Sequence, residues 1–200
     1  YGQSTMGSLM IIGAVPLYNI YSVLVLTFEG DYPENERDTG KIKQAGINIL
    51  KNPIIISIVL GLIVALFNNP LPELVNSTVD KTIDNVAKMA TPLALVGLGA
   101  GFEGKKALAK IKPTLWAAFI KLVAQAAIFI PIAAALGFKG EKMVALVVML
   151  AAPATPSCYI MAKNMHNDGV LTASIVVATT LLASVTLTGW IFLLRTLGWI

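Results

Sequence analysis

The side chains best suited to chemistry gather in one short stretch. Residues 150–161 read L-A-A-P-A-T-P-S-C-Y-I-M and lie inside an apolar run from 143 to about 162, long enough to cross a bilayer at about 20 residues. Pro153 and Pro156 stand near its middle. Each lacks an N–H and clashes with the carbonyl one turn back, which argues against an uninterrupted helix. Lipid cannot satisfy the freed carbonyls, so a break at that depth must be buried in protein or line a polar cavity. Thr155, Ser157 and Tyr159 bring hydroxyls to it. A broken helix also offers a helix start, which attracts carboxylates and other anions, at the depth where carriers build their sites. Pro153, Ala154, Thr155, Pro156 and Ser157 are the first candidates for ligand contact. A proline kink repaired by Thr and Ser hydroxyls accounts for the same residues.

Other polar groups sit in apolar surroundings. Lys121 lies inside a span, at a cost of about 2.5–3.5 kcal/mol on insertion scales. It either faces a cavity, as countercharge to an anion, or snorkels to the nearby headgroups. Gln125 is one turn on and shares its face. Asp84 and Lys88 are spaced to pair on one helix face; they form either an ion-coupling pair or a solvated salt bridge. Asn19, near Pro16, is either a contact between helices or a ligand group. His166 reads as a loop residue.

Nothing matches an enzyme site. There is no phosphate-binding loop, no HExxH, no paired inward carboxylates and no serine or cysteine with a placed base. The single cysteine, Cys158, excludes an internal disulfide, and one histidine cannot form a cluster. No metal or other cofactor is expected.

The elements that must position these residues are long and apolar. The chain is 56% hydrophobic and only 13% charged, about half the charged share of a soluble domain. Its mean hydropathy is +0.75. Ten-residue segments alternating at period 2 are absent, which disfavours an outer-membrane barrel. The reading is an all-α polytopic membrane protein with six transmembrane helices: a first span within 1–52, followed by a charged loop, and then spans at about 53–69, 79–102, 113–137, 142–163 and 169–197. Residues 41–51 fit a short helix on the membrane surface or a helical linker. Residues 103–112 read as a lysine-rich loop.

Basic residues report topology here, not nucleic-acid binding. Arg37, Lys41, Lys43 and Lys51, then Lys105, Lys106, Lys110 and Lys112, then Lys163, fall on one side of six spans. Lys81, Lys139, Lys142 and Arg195 fall on the other. The bias places the first loop in the cytoplasm and the C-terminus outside it, as expected for a multi-pass protein of the cell membrane.

Three segments carry a family resemblance. They are D-N-V-A-K-M-A-T-P-L-A-L-V-G-L-G-A-G-F at 84–102, F-I-K-L-V at 119–123 and A-A-P-A-T-P-S-C-Y-I-M-A-K at 151–163. With the order of spans around them, they resemble the auxin efflux carrier family, whose bacterial members are often called malate permeases. The resemblance implies ten helices in two inverted five-helix repeats. The present chain corresponds to helices five to ten, the C-terminal portion, with 53–200 as the second repeat. Its fifth span matches the ninth helix, one arm of a crossover at the substrate site, and the other arm is expected before Tyr1. The implied activity is secondary transport of a small organic anion, malate-like or auxin-like, by an elevator movement. A homodimer through the second and sixth spans, assisted by the Gly61 face, is implied as well. The connection between the first and second spans is short, as in prokaryotic members. Two rival readings use the same fold: a ligand sensor without flux, and a proton- or sodium-coupled carrier in which Asp84 titrates.

Overall fold

The computed structural model describes residues 5–29, 46–47, 50–51, 53–66 and 73–200, and every regular element among them is helical. We number the helices α1 (Thr5–Glu29), α2 (Pro53–Leu66), α3 (Glu73–Ala100) and α4 (Gly104–Ala109). Then follow α5 (Ile111–Ala135), α6 (Glu141–Ala151), α7 (Pro156–Asn164) and α8 (Gly169–Thr196). The charged connection after Glu29, most of the surface helix expected at 41–51 and the turn expected after α2 lie outside the described residues.

α5 and α8 are each long and apolar enough to cross a bilayer. α6 and α7, bent by 41° at their break, form a third span when counted together. The interrupted helix expected at 142–163 is therefore present. Two boundaries differ from the sequence reading. α3 begins at Glu73 and runs through Pro92 without a break. The lysine-rich loop contains α4, because Lys105, Lys106, Ala107, Leu108 and Ala109 all favour helix.

α8 is the spine of the bundle and packs against α4, α5, α6 and α7. One core joins Ala126, Ile130 and Ala133 of α5 to Met143, Val147 and Ala151 of α6 and Leu194 of α8. A second joins Leu98 of α3, Tyr159 of α7 and Ala173 and Val176 of α8, with Ala154 packed against it. Alanine recurs at the contacts because, in lipid, association rests on close backbone approach rather than on expelling water. Large apolar side chains point outward instead: Leu181, Val185 and Phe192 of α8 are 71%, 72% and 70% exposed. That inversion of the soluble pattern suits a chain whose solvent is hydrocarbon.

α5 contains one wide turn. At Ile120–Ala124 the helix is π-helical, and the Gln125 N–H donates to the Ile120 carbonyl five residues back. Its buried positions explain why. Thr114, Ala118, Leu122, Ala126 and Ile130 recur every fourth residue. In a straight α-helix such a stripe would drift about 160° around the axis, and absorbing one residue in a wider turn reduces this to about 60°. The Trp190 indole of α8 donates to the Leu122 carbonyl inside this turn at 3.0 Å.

Three helices end in the same motif, in which an N–H reaches a carbonyl five residues back around a left-handed residue. At Gly137 (φ 85°) Phe138 bonds Ala133, and at Gly198 (φ 67°) Trp199 bonds Leu194. At the end of α7 the left-handed residue is His166 (φ 55°), with Asn167 bonding Ala162.

Candidate functional site

The break between α6 and α7 is held open by two side chains from other helices. In a continuous helix the Leu150 carbonyl would accept from the Ala154 N–H. Here the Ala154 N–H donates to the Thr179 hydroxyl of α8 at 3.1 Å. The Leu150 carbonyl accepts from the Lys121 ammonium in the π turn of α5 at 3.2 Å. Both halves of the lost bond are thus satisfied, as the membrane interior demands. The cation also lies at the C-terminal end of α6, where the helix dipole favours it. Thr179 is fully buried and anchors its own hydroxyl on the Ile175 carbonyl at 2.7 Å.

α7 starts at Pro156, whose missing N–H costs nothing in the first turn. Thr155 occupies the cap position in extended backbone but caps no amide. Its hydroxyl shares a hydrogen bond with the Ser157 hydroxyl at 2.7 Å instead. The helix start therefore presents its partial positive charge and two hydroxyls to the adjacent space.

That space is a cavity of about 790 Å³. Thr155, Pro156 and Ser157 line one side, with Ile160, Met161 and Asn164 further along α7 and Met165 just past its end. Ala90, Thr91 and Ala94 of α3 face them, and Lys51 and Pro53 close the end at the head of α2. Among the described residues the wall is mostly apolar, with a few hydroxyls and one amide, and Lys51 supplies a cationic group. This composition suits a small molecule with an anionic head.

Of the residues expected to bind ligand, Thr155, Pro156 and Ser157 meet at this cavity. Pro153 lies in the linker between α6 and α7, and Ala154 packs on the second core. Lys121 is engaged with the break itself. Gln125 shares the Lys121 face, and its Oε1 is buried without a hydrogen-bond partner among the described residues. Asn19 is buried and donates to the Val15 carbonyl of its own helix at 2.8 Å. Asp84 and Lys88 form their ion pair on an exposed face of α3, with side chains 59% and 69% accessible. They precede Thr91 at helical spacing, so the three share a face.

Sequence reasoning missed Thr91, Asn164 and Thr179. A signal existed for Thr91. The triplet A-T-P occurs at 90–92 and again at 154–156, and both copies contribute to the cavity wall. Thr179 carried none, because α8 holds many Thr and Ser residues that bond back to carbonyls of their own helix, as Ser174, Thr180 and Thr188 do.

Apolar helices, an interrupted span and a cavity at the interruption suit a membrane transport protein. The sequence profile of the membrane transport protein family, which includes the auxin efflux carriers, matches residues 9–191, and the chain belongs to that family. No curated protein and no solved structure matches it.

Proposed function

We propose that the protein is a secondary carrier of small organic anions, malate-like or auxin-like carboxylates. It moves them by elevator-type alternating access across the cell membrane. In this reading the chain contributes six spans of a ten-helix inverted-repeat architecture, and 153–157 is one arm of its crossover. The C-terminus is extracytoplasmic, and the protein pairs as a homodimer through its second and sixth spans.

The observation that carries the reading is the start of α7. Its dipole end and the Thr155 and Ser157 hydroxyls open on a cavity that Lys51 also lines. The carboxylate would sit at those groups, and its apolar body against Ile160, Met161 and Ala94.

The test is uptake of labelled malate and labelled indole acetate by proteoliposomes holding the full-length native protein. Thr155→Val with Ser157→Ala is expected to raise the KM about ten-fold, the worth of one hydrogen bond to a charged group. Uptake of both acids with unchanged KM in that variant would refute the site. The shared face of Asp84, Lys88 and Thr91 favours a second reading, in which the pair couples transport to a cation. Uptake indifferent to proton and sodium gradients in wild type and Asp84→Asn would exclude it.

A further inference from the structure

We propose that the first two turns of α5 form a binding site for an anionic glycerophospholipid, separate from the transport cavity. Lys112, Leu115, Trp116 and Phe119 line a shallow groove of about 420 Å³. Their spacing of three, one and three residues places them along one helix stripe. Thr114, Ala118 and Leu122 of the same helix are buried against the bundle, whereas Leu115, Trp116 and Phe119 are 51%, 66% and 50% exposed. The groove therefore faces lipid. Trp116 and Phe119 stand edge to face with ring centroids 5.9 Å apart, which fixes one wall.

Charge decides the occupant. Four lysines lie between 105 and 112. Lys106 pairs with Glu103, and Lys110 pairs with Asp168. Lys105 and Lys112 have no carboxylate partner among the described residues. Lys112 is in the first turn of α5, so its ammonium and the positive end of the helix dipole act at the same level. The apolar stripe runs inward from that level. A phosphate head at Lys112 with an acyl chain along Leu115, Trp116 and Phe119 matches both halves. Basic pockets at helix ends and aromatic residues at the interface are how membrane proteins hold such lipids.

The experiment uses the full-length protein in nanodiscs of phosphatidylcholine alone, or of three parts phosphatidylcholine to one part phosphatidylglycerol. Lipids retained after extraction into detergent are counted by native mass spectrometry. Wild type is expected to retain phosphatidylglycerol over phosphatidylcholine. Lys112→Gln is expected to reduce the retained fraction about five-fold, the worth of one lysine near an anionic surface. Trp116→Ala reduces it as well, while Lys112→Arg and Lys105→Gln preserve it. Equal retention of the two lipids by wild type, or unchanged phosphatidylglycerol retention in Lys112→Gln, would overturn the proposal. Uptake by each variant in phosphatidylcholine liposomes keeps the outcome separate from the transport site.

Discussion

Lys121 and Thr179 take over the two ends of one missing hydrogen bond. The first binds the Leu150 carbonyl and the second the Ala154 N–H. Replacing Thr179 with Val removes the acceptor and keeps the shape. An amide left without a partner costs about 1–3 kcal/mol, so the thermal midpoint in detergent should fall. Thr179→Ser should retain most of it, because the hydroxyl is the part used.

Lys121 is a positioning residue in this geometry. Its ammonium is already engaged by the Leu150 carbonyl. Lys121→Gln should lower turnover with the KM for the anion within about two-fold. A direct countercharge would show the opposite split, a large rise in KM. Initial rates of uptake across a range of malate concentrations separate the two.

The contact between α3 and α7 admits no extra carbon. Gly101, the residue just past α3, faces the Tyr159 hydroxyl so closely that a Cβ there would overlap it. Tyr159 is only 6% exposed and cannot swing away freely. Gly101→Ala should destabilise by about 1–3 kcal/mol through overpacking. Adding Tyr159→Phe removes the oxygen and should recover much of the loss, giving a coupling energy in a double-mutant thermal cycle.

Asp168 ties the α7–α8 turn to the head of α5. It accepts from the Leu171 N–H at the start of α8 and pairs with Lys110. Partial burial pushes its pKa up, but the Lys110 hydrogen bond, the amides of Leu171 and Val170 and the Lys110 charge outweigh that and hold it below the usual value. A carboxyl lowered in the folded state stabilises at full strength above its unfolded pKa of about 3.9 and loses that effect as pH falls through the lowered value. The midpoint difference between wild type and Asp168→Asn should therefore be flat from neutral pH down to the unfolded pKa and shrink below it. Added salt should narrow the gap, since both partners are solvent-accessible.

The break was legible because its cause is local: two prolines cannot donate, whatever surrounds them. The groups that repair it were not, since Thr179 and Lys121 lie 25 and 29 residues away and reach it only through packing. The ion pair of Asp84 and Lys88 was readable from spacing alone, and its exposure was not. The lysines of α4 read as a loop, although Lys105, Lys106, Ala107, Leu108 and Ala109 all favour helix. The wide turn of α5 left a trace in the four-residue spacing of its buried positions. In a helix apolar on nearly every side, Thr114, Ala118 and Ala126 offer no contrast to reveal it.

That turn also marks where α5 can lose a residue. Each residue of an α-helix advances the face by about 100°. Deleting Val123 from the wide turn would let the segment close into ordinary α-helix and leave everything before it facing as it did relative to everything after, because that turn already absorbs one residue. Trp116 would keep facing outward and Ile130 would stay in the core, whereas a deletion in α5 outside Ile120–Ala124 would swivel one half against the other by about 100°. A one-residue deletion within the wide turn should therefore cost far less thermal stability in detergent than one placed a full turn to either side.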